Sequence, residues 1–171
     1  AKNNAGYHNL IRLATQAQLE GYYYKPRIDK ELLEQHGEGI IAFSGCLNGE
    51  IPQMIQAGRL EDAREAARWY REVLGDFYFE IQDHGNIPEL FEVNKRLGEI
   101  GQEMEIPLGA TNDVHYVHQD DHSVQDVLLC IQTNTTLDQP NRLKMSDSSY
   151  YLRGVAEMEQ LFPDLPQAIA N

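Results

Sequence analysis

The sequence is short of cysteine and long apolar runs, and each shortage excludes a class of protein. The two cysteines, Cys46 and Cys130, do not suggest a disulfide framework. No stretch approaches the roughly 20 apolar residues that span a bilayer. The opening residues AKNNAGYHNL lack the apolar core of a secretory signal. We therefore expect a cytoplasmic protein with reduced thiols and no membrane partner.

Basic side chains are also scarce, with 14 Lys and Arg against 27 Asp and Glu and a net charge of −13. A domain that grips nucleic acid broadly through its phosphates is expected to be basic. This chain would repel a phosphate backbone unless cations or local basic clusters intervene. Any phosphate chemistry on it would therefore need metal ions.

What is present is the composition of a folded domain, with 42% hydrophobic and 24% charged residues. Apolar spacing predicts helices over 3–20, 30–36, 49–57, 60–74, 88–104, 120–131 and 155–162. Short strands are predicted over 39–45, 77–82 and 106–112, the first of them buried. Because helices separate the strands, we expect parallel pairing and an α/β fold. Both a segment of a (β/α) barrel and a smaller open sheet fit three strands.

Residues that bind metals or transfer protons follow each predicted strand. Cys46 follows the first, Asp83 and His84 the second, and Asp113 and His115 the third. The carboxyl ends of parallel strands share one edge, where α/β active sites form, so we expect these side chains to lie together. Each also has a purely structural interpretation. The cysteine could be a small buried hydrophobe, QDHGN a turn, the third-strand aspartate a loop cap and the histidine beside it a buried core residue.

Asp, His and Cys together suit zinc, whereas manganese or iron suit the Asp and His better than the Cys. On an extended segment Asp113 and His115 would face the same side. A metal held there would activate water and neutralise phosphate oxygens, so the predicted reaction class is phosphoester hydrolysis.

Two further segments are ambiguous. His118 and His122 have a spacing that can bind zinc on a helix, but HQDDH is more typical of a helix start, where the dipole favours Asp120 or Asp121. Cys130 falls inside the apolar part of that helix and is expected in the core.

The loop YYYKPRID places Lys25 and Arg27 among aromatic rings. It could contact phosphate or dock a neighbouring domain. It could equally be an aromatic anchor whose charges are solvated.

Five segments in order, EGYYYKPRID, IIAFSGCLNGE, FYFEIQDHG, ATNDVHY and DVLLCIQT, resemble the PHP (polymerase and histidinol phosphatase) domain of bacterial replicative DNA polymerase III alpha subunits. The resemblance runs through nearly all of the chain. It implies a distorted (β/α)7 barrel with a divalent metal cluster at its C-terminal face. It also implies a parent enzyme that synthesises DNA with magnesium at its polymerase site.

The resemblance assigns metal ligation to Cys46, Asp113 and His115, and a catalytic role with the metal to the last two. His84 and Asp83 are expected as supporting or substrate-contacting residues, as are Lys25 and Arg27 of the separate loop. The family's other ligands, which come earlier, have no counterpart here. Since the chain lacks an initiator Met and both its ends are helix-like, we expect a single partial domain over 1–171, with the domain edge near 150–171.

Three functions follow from the resemblance. The first is a fragment of a polymerase whose PHP domain is a metal-dependent 3′–5′ exonuclease. The second is a structural PHP module that supports the polymerase and binds a proofreading subunit. The third is a PHP-type small-molecule phosphatase. We expect DNA and other polymerase III holoenzyme subunits as partners of the parent. The fragment alone should bind metal weakly or not at all, lack catalysis and self-associate through exposed strand edges.

Overall fold

The computed structural model describes residues 1–85 and 87–171, in which helices alternate with short strands. In chain order the elements are α1 (Asn4–Leu19), α2 (Lys30–His36), β1 (Ile41–Phe43), α3 (Glu50–Gln56), α4 (Leu60–Leu74), β2 (Asp76–Ile81), α5 (Pro88–Met104), β3 (Leu108–Ala110), a 3-10 turn (Gln119–Asp121), α6 (His122–Thr133), α7 (Val155–Leu161) and α8 (Pro166–Ala170). Every helix and strand predicted above is present, with ends shifted by a few residues.

The three strands form one parallel sheet in the order β1-β2-β3. Ala42 pairs with Phe77 across the first ladder, and Phe79 pairs with Leu108 across the second. The predicted parallel α/β arrangement is confirmed. The (β/α)7 barrel implied by the resemblance is not confirmed, because the described residues contain only these three strands.

Helix boundaries follow from local capping. The Asn3 side chain accepts a hydrogen bond from the Gly6 N–H at 2.9 Å and starts α1. Asp29 accepts from the Leu32 N–H at 2.8 Å and starts α2. Such caps satisfy backbone donors that the first turn of a helix leaves free.

The core lies between the sheet and helices α3, α4 and α5. Along β2, Phe77, Phe79 and Ile81 are buried at 2% exposure or less and alternate with half-buried residues. Leu97 and Ile100 of α5 are buried to the same degree and pack in the same cluster. This period-two pattern shows that one face of the sheet is covered by helices.

The prediction of a buried first strand was wrong. Strand β1 is only three residues long, and Ile41 and Phe43 are 40% and 43% exposed. They lie on the sheet face opposite the helices, at the edge of the sheet, where no described element covers them. Burial falls on Ile40 and Ser44 at either end of the strand instead.

Helix α6 also departs from expectation. Cys130 is buried, as predicted, but the apolar stripe beside it is exposed, with Val124 at 57%, Leu128 at 53% and Ile131 at 72%. The stripe has the helical period of a core face, yet no described element packs on it. Among the described residues, no helix combines the length and the apolar character that crossing a membrane requires.

Candidate functional site

Asp113 and His115 come together just beyond the end of β3. Nε2 of His115 lies 3.4 Å from Oδ1 of Asp113, and the two side chains are 39% and 41% exposed. Both are therefore open to solvent on the edge of the sheet where the strands end. A carboxylate beside an imidazole can bind a cation or relay a proton.

The reason given above for their meeting was wrong. Asp113 has φ of 45° and is not extended, so simple strand alternation does not place the pair. Few non-glycine residues adopt this left-handed backbone, although aspartate tolerates it better than most. The backbone is fixed just beyond this point, where the His115 N–H donates to the Tyr150 carbonyl at 2.9 Å.

Cys46 lies in the turn that follows β1. Its carbonyl accepts a hydrogen bond from the Gly49 N–H at 2.7 Å, and its side chain is free and half-buried. Gly45, which precedes it, has φ of 81°, a conformation that favours glycine. Burial is the main cause that raises the pKa of Tyr150, and the charges of Asp113 and Cys46 add to it.

His84 follows β2 and is buried, with 2% exposure. Its Nδ1 lies 2.6 Å from the Ser149 hydroxyl, and its ring stacks on Tyr150 with centroids 4.0 Å apart. Burial lowers the pKa of His84, against an opposing effect of nearby carboxylates that include Asp147 and Asp113. Asp83 is half-buried beside it. The turn predicted for QDHGN includes Asn86, which lies outside the described residues.

Residues 146–151 close over the ends of β2 and β3, and none of them was predicted as part of the site. Burial raises the pKa of Tyr150, although a hydrogen bond between its hydroxyl and Ser146 opposes the shift. The Tyr150 ring also meets the His115 ring edge-on, with centroids 5.8 Å apart and planes at 74°. The Tyr150 ring therefore contacts His84 and His115, and the charges of Asp113 and Cys46 add to the rise in its pKa.

Asn112 holds this loop in place and was also missed. Its side-chain amide donates to the Ser149 carbonyl at 2.8 Å and to the Tyr151 carbonyl at 2.7 Å. The residue is buried, with 6% exposure; the bond to Ser149 is buried and the bond to Tyr151 is partly buried. Asn112 directly precedes Asp113, and a polar residue inside an apolar strand end was the only available signal.

The described residues supply only part of a metal-binding site. Asp113 and His115 supply two adjacent donors, but no group of three His, Cys, Asp or Glu in 1–85 and 87–171 is arranged to hold an ion. His118 and His122 are not part of such a group among the described residues either. His118 lies just before the 3-10 turn, where its N–H donates to the Asp121 carboxylate at 3.0 Å, as the helix-start interpretation predicts. These residues alone do not make a complete metal site.

Lys25 and Arg27 lie in an exposed loop. The Arg27 guanidinium lies 5.3 Å from the centre of the Tyr23 ring, and the Tyr23 N–H donates to the Lys25 carbonyl at 3.1 Å. Tyr24 has φ of 60° and is 80% exposed. The described contacts do not join this loop to Asp113 or His115.

Comparison with known proteins gives a family match over the first part of the chain and a similarity over the whole of it. Residues 1–84, which include Cys46, Asp83 and His84, match the PHP domain family. Asp113 and His115 lie beyond the PHP match but within a similarity that covers the whole chain.

That similarity is to proteins named DNA polymerase III subunit alpha, as the motifs predicted. The chain is 46% identical over 172 residues to the one from Borreliella burgdorferi, a match that covers all of this chain. It is 49% identical over 164 residues to the one from Deinococcus radiodurans and 45% over 165 residues to the one from Thermus aquaticus, with 95% and 96% of this chain covered. The chain spans 15%, 12% and 13% of these three relatives. The PHP match and the parallel sheet together support an α/β PHP architecture.

Proposed function

We propose that this chain is the carboxyl-side part of a PHP domain in a bacterial DNA polymerase III alpha subunit. Support comes from the PHP match over residues 1–84 and from a similarity to subunits of that name that covers all of this chain and 15% of the relative. The parent would carry out DNA-templated DNA synthesis in the cytoplasm, with magnesium at its polymerase site. Its partners would be DNA and other subunits of the polymerase III holoenzyme.

The function we propose for the site is hydrolysis of the DNA 3′ end, a 3′–5′ exonuclease activity. The observation that carries this proposal is the 3.4 Å approach of Asp113 to His115 at the sheet edge where Cys46 and His84 also lie. In the intact domain Cys46, Asp113 and His115 would bind a divalent metal, with zinc preferred over manganese or iron, and other parts of the domain would supply the remaining ligands. The metal would supply an activated water and charge neutralisation. Asp113 and His115 would hold or move a proton at the reacting water.

A structural role is the second candidate, and one observation favours it. Within the described residues no three potential ligands converge, so the PHP region could support the polymerase and bind a separate proofreading subunit. A small-molecule phosphatase role is less consistent with relatives that are named as polymerase subunits. Activity on histidinol phosphate would revive it.

The decisive experiment measures exonuclease activity of the full-length protein that carries this segment. Asp113→Asn and His115→Ala are compared with Asp164→Asn and His8→Ala, which change the same residue types at exposed positions that have no described contact with Asp113 or His115. If the site is catalytic, the first pair loses 10²-fold or more of the excision rate and the second pair retains it. Polymerase activity, measured in parallel, shows that each variant remains folded.

Excision that is unchanged in Asp113→Asn and His115→Ala would remove the catalytic role and leave the structural one. Elemental analysis of the same protein gives a separate measurement. The absence of bound zinc, manganese or iron in wild type would count against the metal centre. For the 171-residue chain alone we propose no catalysis and self-association, and a monodisperse monomer in solution scattering would contradict the second.

A further inference from the structure

The burial of His84 is not explained by packing alone. Its Nδ1 lies 2.6 Å from the Ser149 hydroxyl, but its Nε2 is buried and has no hydrogen-bond partner among the described residues. A buried, unpartnered nitrogen costs free energy that a phenyl ring in the same place would avoid. The imidazole is therefore suited to this position by its Nδ1 contact, in addition to its shape.

Both contacts of the His84 side chain fall on one short segment. Besides the Ser149 hydroxyl, its ring lies on the Tyr150 ring, with planes inclined by only 16° and centroids 4.0 Å apart. The two contacts act in different directions, one in the plane of the imidazole and one perpendicular to it. Together they fix where the Tyr150 ring can lie.

Tyr150 in turn borders His115 on two sides. The Tyr150 ring meets the His115 ring edge-on, with centroids 5.8 Å apart. The Tyr150 carbonyl accepts a hydrogen bond from the His115 N–H at 2.9 Å. The His115 side chain is 39% exposed and would otherwise be free to rotate. A fixed aromatic wall limits which rotamers it can adopt.

We propose that His84 is a positioning residue that holds Tyr150 so that Tyr150 orients the His115 imidazole toward Asp113. This inference rests on the proposed function only in that it gives His115 a task that needs orientation. Preorganised ligands and bases lose less entropy when they act, and outer contacts of this kind change metal affinity or activity by 10–100-fold when removed.

The test reads the His115 ring directly, by the imidazole ¹H–¹³C resonances of the histidine-labelled 171-residue chain without metal. Ser149→Ala removes the partner of Nδ1 and leaves His84 intact, whereas Ser149→Thr retains a hydroxyl. We expect Ser149→Ala to shift the His115 resonances and Ser149→Thr to keep them near wild type. A purely structural role for Ser149 would not move these resonances.

A control comes from a second tyrosine–histidine pair, Tyr7 and His8, which is exposed and whose ring centroids are 6.0 Å apart. Tyr7→Leu should shift His8 and leave His115 unchanged. If Ser149→Ala does not fold, as judged by circular dichroism, His84→Phe carries the same test because it keeps the stacked ring and removes Nδ1. His115 resonances that stay unmoved in the folded variants would overturn the proposal.

Zinc titration of the full-length protein separates this inference from the proposed function. If both hold, Ser149→Ala weakens zinc binding by 10–100-fold and Ser149→Thr does not. If wild type binds no zinc but the His115 resonances respond, the metal centre fails and the positioning role stands. If wild type binds zinc and the resonances do not respond, the positioning role fails and the metal centre stands.

Discussion

Replacing Asn112 by Asp should release the loop of residues 146–151 from the strand ends. The two side chains have the same shape, but a carboxylate cannot donate. The carbonyls of Ser149 and Tyr151, now 2.8 and 2.7 Å from the amide nitrogen, would lose their donor and face a negative oxygen. The contact to Ser149 is buried and that to Tyr151 is partly buried.

The magnitude follows from those two bonds. A buried carbonyl left without a partner costs about 1–3 kcal/mol, and a partly buried one about 1 kcal/mol. We therefore expect Asn112→Asp to lower the free energy of unfolding by about 2–4 kcal/mol. For a chain of this size that corresponds to a fall in the melting temperature of roughly 5–15 °C.

Urea denaturation followed by circular dichroism measures the change. Asn141→Asp adds the same negative charge to a chain of net charge −13 at an exposed position, so it isolates the effect of the lost bonds. Its effect should stay within about 0.5 kcal/mol. A loss of less than about 0.5 kcal/mol in Asn112→Asp, with an unchanged denaturant slope, would refute the clamp.

Three other changes test the core, the open sheet face and the buried histidine. Phe79→Ala removes a ring with 0% exposure and should cost about 3–5 kcal/mol in urea denaturation, whereas Phe91→Ala at 71% exposure should cost little; similar losses in the two would contradict the assigned core. A Cβ at Gly109 would lie 2.6 Å from the Phe43 ring, so Gly109→Ala should lower the free energy of unfolding by about 1–3 kcal/mol. Most of that loss should vanish when Phe43→Ala is added. Full additivity of the two substitutions would show that the side chains at 43 and 109 do not meet. Burial lowers the pKa of His84 below its usual value of 6.5. Just below pH 6.5 the unfolded state therefore binds more protons than the folded state. As the pH is lowered through this range, the free energy of unfolding should decrease by at most about 1.4 kcal/mol per pH unit. His84→Phe should flatten that part of the pH profile, and an unchanged profile would show that His84 does not contribute to it.

The sequence was informative where local signals and burial agree. Asp29 could be identified as a helix cap because its short acceptor precedes an amphipathic run. The parallel sheet was predictable because helices separate its strands. The meeting of Asp113 and His115 was also predicted, although through an extended geometry that the positive φ of Asp113 replaces.

The parts of the fold and of the site that were not predicted depend on contacts between residues far apart in the sequence. No sequence pattern pairs Tyr150 with His84, because the two residues meet only where the chain returns over the strand ends. Burial was misjudged for the first strand, including Phe43, for a related reason. Periodicity shows that a face is apolar, whereas it does not show whether the described chain contains an element that covers it.

The clamp made by Asn112 has a consequence for how this region can vary. Because Asn112 and Ser149 are joined, the chain between them leaves the sheet and returns to one point, and α6 lies within that excursion. The entropy of closing a loop grows only with the logarithm of its length, so several residues could be inserted or deleted there at a cost of a few tenths of a kcal/mol. The spacing from Asn112 to His115 has no such tolerance, since one added residue would rotate the imidazole away from Asp113. Within this one excursion, length variation is therefore cheap in the loop after α6 and costly between Asn112 and His115.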